Sequence, residues 1–67
     1  MPAIREIAAL DLVELTEAAE GAPAGSRGGV LELRDGTVAM VEITTMPPEP
    51  ILSRIVFVPL SKLRRID

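Results

Sequence analysis

The chain contains no His, Cys, Trp, Tyr, Asn or Gln, and Phe57 is its sole aromatic residue. Without His, the usual general base of neutral-pH catalysis is missing. Without Cys there is no disulfide, and a structural zinc has neither of its soft ligands. A single ring cannot build the stacking platforms that hold nucleobases or proline-rich peptides. No apolar run approaches the ~18 residues of a membrane-spanning helix. The longest, Ile55-Val56-Phe57-Val58-Pro59-Leu60, has the length of a buried strand. Residues 1–15 do not read as a signal peptide, because Arg5, Glu6 and Asp11 interrupt every apolar segment. The expectation is a soluble, cytoplasmic protein.

What is present is a short chain rich in aliphatics. Its 67 residues make one domain, 1–67, and 48% of them are hydrophobic. Ordering such a chain costs on the order of 100 kcal/mol of conformational entropy, which burial must offset. Small domains commonly add a disulfide, a metal or a partner surface, and here only the partner surface is left. Ten acidic residues oppose seven basic ones, for a net charge of −3. That balance argues against a polyanion binder, which carries a basic excess or stripe. Six of the seven basic residues are Arg. With thermolabile Asn, Gln and Cys absent, this composition hints at a thermophile, a GC-rich genome being the plainer cause.

The clearest local signal is a hairpin. Gly28 to Arg34 and Thr37 to Ile43 are β-rich runs joined by Asp35-Gly36, a strong turn dipeptide. A two-residue turn would set Arg34 opposite Thr37, Leu33 opposite Val38, Leu31 opposite Met40 and Val30 opposite Val41. A bulged turn would shift partners by one and leave each strand's alternation intact. One face then carries Leu31, Leu33, Val38, Met40 and Glu42. The other carries Val30, Glu32, Arg34, Thr37, Ala39, Val41 and Ile43. Both faces are partly apolar, so either strong curvature hides both or one meets a partner.

Thr44 to Pro50 reads as a loop, since Pro47, Pro48 and Pro50 cannot donate to a ladder. Its PxxP element is a stiff connector. Ile51 to Val58 is a third strand ended by Pro59, Pro59 to Lys62 a tight turn, and Leu63 to Ile66 a closing strand. Gly21 to Gly29 is a loop in which Gly28-Gly29 lets the backbone bend into the strand. The loop lacks the GxxxxGK[ST] pattern of a phosphate cradle. In the N-terminal third, Ile4, Ile7, Ala8, Leu12, Leu15 and Ala19 recur at helical spacing, favouring a helix over residues 3–20. Leu10 and Val13 fall off that stripe, and Leu12 to Thr16 also suits a strand.

Several of these residues resemble a family of short bacterial proteins of unknown function with an SH3-like barrel, distantly like KOW-type barrels. They are Leu10-Asp11-Leu12-Val13-Glu14-Leu15, then Gly28-Gly29-Val30, Val41-Glu42-Ile43, Leu60 and Leu63-Arg64-Arg65-Ile66. Ile43 stands where such proteins often carry an aromatic, and the proline loop replaces a glycine turn. The resemblance implies an all-β fold, a small SH3-like barrel of about five strands. It makes residues 10–16 a strand and leaves only residues 3–9 for a short helical turn.

Candidate sites are sparse. The hydroxyls of Thr16, Ser26, Thr37, Thr44, Thr45, Ser53 and Ser61 enter no Ser-x-x-Lys or His-paired arrangement, so no catalytic residue is assigned. No cofactor, metal or small-molecule substrate is implied. Asp11, Glu14, Glu17 and Glu20 read as a solvated edge. Lys62, Arg64 and Arg65, with Arg54, form the basic cluster that a KOW-like, RNA- or ribosome-associated barrel would use. The favoured reading is a non-enzymatic interaction module, self-associating or serving as an accessory subunit or antitoxin-like partner of another protein. Its contact positions would be Leu31, Leu33, Val38 and Met40.

Overall fold

A computed structural model describes residues 7–46 and 54–66. The fold is all-β. Strands β1 (Leu12–Leu15), β2 (Arg27–Arg34), β3 (Val38–Ile43), β4 (Ile55–Pro59) and β5 (Leu63–Arg65) form one antiparallel sheet in the order β4-β3-β2-β1-β5. Helical backbone among the described residues is confined to 3-10 turns, such as Leu60–Lys62, which links β4 to β5. No helix among them is long and apolar enough to cross a membrane.

The helix expected over residues 3–20 is replaced by β1 within its described part. Val13 and Leu15, two residues apart, are both fully buried, which is strand and not helix periodicity. Tertiary pairing with β2 and β5 overrides the local propensity. Residues 7–10 are not helical either. The Asp11 amide donates to the Ala8 carbonyl, and Leu10 sits at φ 74° in the tight turn so formed. The remainder of the expected helical turn, and the Pro47–Pro50 connector, lie outside the described residues.

The hairpin departs from its expected register in an instructive way. Val30 faces Val41 as expected, yet Glu32 faces Met40, Leu33 faces Ala39 and Arg34 faces Val38. Asp35 and Gly36 both have positive φ, and the Thr37 amide donates to the Arg34 carbonyl. Strand pairing resumes only at Val38, so the loop holds three residues. That shifts the partners by one, and a bulge at Leu31 shifts them back. Alternation is therefore not preserved along β2. Residues directly opposite share a face, so Glu32 and Arg34 join Met40 and Val38, and Leu33 joins Ala39. The bulge is what lets Val30 keep its place in the core despite the longer loop.

All five strands contribute to one face of the sheet. Val13, Leu15, Val30, Ala39, Val41, Ile43, Val56, Val58 and Leu63 are buried there, with Ala22 from the β1–β2 loop. No second layer covers this face among the described residues, so the sheet itself must curl around it. It does not close into a barrel. β4 and β5 remain the two edges of the hydrogen-bonded order, bridged by the 3-10 turn rather than by pairing. The opposite, convex face carries the surplus aliphatics noted in the sequence.

The β1–β2 loop is built rather than slack. Ala19 and Ala22 exchange backbone hydrogen bonds of 2.9 and 2.8 Å around Glu20 and Gly21, both at positive φ. Pro23 to Ser26 form a second turn, with Gly25 at φ 90°. The buried Ser26 hydroxyl donates to the Pro23 carbonyl at 2.7 Å, so its burial leaves no unmet donor.

Candidate functional site: the convex face and its charged end

Ion pairs tie β1 and its flanks to β2 and β5, those of Glu14 on the convex face and that of Arg65, opposite the buried Val13, at the margin of the core face. Glu14 on β1 is opposite Arg27 on β2 and Arg64 on β5. Its Oε1 meets Arg64 Nη2, and its Oε2 lies 3.5 Å from Arg27 Nε. Lys62 reaches Glu17 at 4.0 Å, and Arg65 Nε reaches Asp11 at 3.8 Å. Three of the four acidic positions foreseen as a solvated edge, Asp11, Glu14 and Glu17, are therefore partners for the basic cluster, joining β1 or its flanks to β5 and the turn before it. Arg54 lies apart from that cluster and pairs with Glu42 at 3.2 Å, its Nε buried without a partner among the described residues. Exposed pairs of this kind contribute little individually to stability.

Glu14 is 16% exposed because two guanidinium side chains flank it, not because it enters the core. The hydrogen bond from Arg64, with the nearby positive charge, holds its carboxyl below the usual 4.5 against a smaller desolvation effect. A depressed pKa means the unfolded chain takes up the proton first. The stabilisation is present above pH 4.5 and is lost as pH falls through the lower folded value. Thermal melts should therefore show a decline in stability on acidification below that point. Glu14→Gln should melt lower at neutral pH and show less of this acid sensitivity. An unchanged acid limb in Glu14→Gln would assign the effect to other carboxylates.

The apolar part of the convex face falls into two groups. Leu10, Leu12, Leu31 and Ile66 are 85, 51, 42 and 38% exposed. Leu12 lies opposite Gly29, which has no side chain to cover it. The Ile66 amide donates to the Leu12 carbonyl, and the Leu10 amide to the Val30 carbonyl, so the four occupy neighbouring positions on β1, β2 and the residues flanking β1 and β5. The second group is Val38, Met40 and Phe57, with Met40 opposite Phe57 and the Arg34 guanidinium 5.2 Å from the ring centroid. That cation–π contact shields part of the ring.

Of the expected contact positions, Val38 and Met40 come together here and are half-buried. Leu31 lies at the bulge beside the first group. Leu33 is carried to the face of Ala39, at the turn end of the hairpin. Sequence reading did not single out Leu10, Leu12, Ile66 or Phe57 as contacts. The displacement of Leu10 from the helical stripe was the available signal for the first of them.

Concave features are slight. A shallow depression of about 290 Å³ is lined by Ala18 to Pro23, with Glu20 as its one titratable group. The described residues contain no cluster of three or more His, Cys, Asp or Glu able to hold a metal ion. No family model, curated protein or solved structure matches this chain.

Proposed function

We propose that this is a non-enzymatic interaction module that works by associating, through its convex face, with another protein or with a second copy of itself. The observation that carries this reading is the row of exposed aliphatics Leu10, Leu12, Leu31 and Ile66 on and beside the adjacent strands β1, β2 and β5. Contiguous apolar surface of this kind is costly to leave in water and marks association sites. Leu10 adds to the case. It holds a left-handed backbone conformation while contributing almost nothing to the core. The family resemblance stays part of the proposal, supported by the meander order in which the first and last strands pair.

The nucleic-acid reading draws less support. Lys62, Arg64, Arg65 and Arg54 each already face a carboxylate, so a phosphate backbone would have to compete with Glu17, Glu14, Asp11 and Glu42.

The test is affinity purification of the tagged chain from its own cells, with and without nuclease, for wild type and Leu12→Asp. The expected result is a stoichiometric protein, either another chain or an untagged copy, that survives nuclease. Leu12→Asp should lose it by at least about tenfold, the range of a central interface contact, with an unchanged circular dichroism spectrum. Full retention by Leu12→Asp, or recovery of RNA alone that nuclease removes, would reject the reading.

A further inference from the structure

Strand β4 is an edge of the sheet, and its outward side is guarded. The Leu60 amide donates to the Thr37 carbonyl at 2.9 Å, and Val58 lies opposite Ala39. Antiparallel bonding alternates, so the amides of Val56 and Val58 turn toward β3 and those of Ile55 and Phe57 turn outward. An outward row of backbone groups is the template onto which another strand adds. Two features interrupt it here. Pro59 has no N–H to offer. The Phe57 amide donates instead to Glu20 Oε1 at 3.2 Å.

Glu20 reaches that amide from the tip of the Ala19–Ala22 turn. The turn is closed by two backbone hydrogen bonds and anchored by the fully buried Ala22. The carboxylate is thus delivered by a fixed turn, at the cost of a left-handed Glu (φ 48°) where Gly or Asn would be easier. The adjoining Gly21 shows that Gly is available at this turn.

We propose that Glu20 is an edge guard, and that its carboxylate withholds β4 from antiparallel pairing with β4 of a second copy of this chain. The occupant is a second copy because Ile55 to Val58 is uncharged and β-favouring, hence compatible with its own two-fold image. The β5 edge is not, since a two-fold there brings Arg64 and Arg65 against their own copies. Glu20 guards twice over, by occupying the Phe57 amide and by setting one carboxylate against another across the two-fold. This surface is separate from the leucine patch of the proposed function.

The test compares Glu20→Gly with Glu20→Gln in a Leu12→Asp background, which removes association through the leucine patch. Glu20→Gly suits the positive φ, so the turn should fold while losing its reach. Mass by light scattering over a concentration series and exchange of the Phe57 amide are the readouts. Glu20→Gly should double in mass and Glu20→Gln, which keeps an acceptor, should not. Adding Ile55→Pro, which removes an outward donor without breaking the ladder to β3, should restore the monomer. Three results would overturn the proposal. They are an unchanged mass in Glu20→Gly, monomeric Phe57 exchange equal in Glu20→Gly/Ile55→Pro and Ile55→Pro alone, or a dimer that Ile55→Pro leaves intact.

Discussion

Gly28→Ala should abolish the stable fold, whereas Gly29→Ala, one residue on, should leave it nearly unchanged. A Cβ at position 28 would lie 2.0 Å from the Glu42 carbonyl oxygen, 2.8 Å from its carbon and 2.9 Å from the Ile43 Cα. All three are backbone atoms of β3, the strand that pairs with β2 on one side and β4 on the other. They cannot rotate away as a side-chain tip could, so β3 itself must move. Forcing atoms into a packed interior commonly costs about 1–3 kcal/mol even where side chains can adjust. A domain of this length is stabilised by only about 3–10 kcal/mol. At position 29 the nearest atom to an added Cβ is the Asp11 carbonyl oxygen at 4.0 Å, an ordinary contact. Thermal melts of the two variants check this. A Gly28→Ala melt within a few degrees of wild type would show that the β2–β3 approach is not fixed. Truncating Ile43 to Ala in the Gly28→Ala chain should give no rescue, because the obstruction is backbone.

The second large effect is expected at Leu15. Leu15→Ala should lower stability by about 2–5 kcal/mol, the range for removing a buried leucine side chain, and should lower the denaturant midpoint accordingly. Leu15 heads the fully buried side chains by volume and lies opposite Leu63, the only buried residue of β5. Its loss would therefore loosen both the core and the attachment of the last strand. Leu12→Ala, in the same strand but half exposed, should shift the midpoint by no more than about 0.5 kcal/mol, as for surface changes generally. Equal losses at the two positions would contradict the one-sided core. The contrast also separates stability from association, since Leu12 belongs to the patch proposed to meet a partner.

This division of labour along β1 shows what kind of information each level carried. A leucine is a leucine in the sequence, and the spacing of Leu12 and Leu15 fitted a helix as well as a strand. Only pairing of β1 between β2 and β5 sends Val13 and Leu15 inward and Leu12 outward. The same holds for the charges. The acidic and basic groups were visible as two separate clusters some fifty residues apart. Their mutual neutralisation exists because β1 and β5 lie side by side.

The sequence by itself determined the all-β hairpin core, through β-branched runs, a turn dipeptide that accepts positive φ, and prolines that bound the strands. It determined the chemistry absent from the chain. Tertiary structure alone decided the bulge at Leu31, the open rather than closed sheet, the exposed leucine row and the Glu20 contact with β4. The reason is physical. Turn and strand preferences act over a few residues and can be read there. Register, curvature and the pairing of first strand with last are settled by which apolar face all five strands bury together.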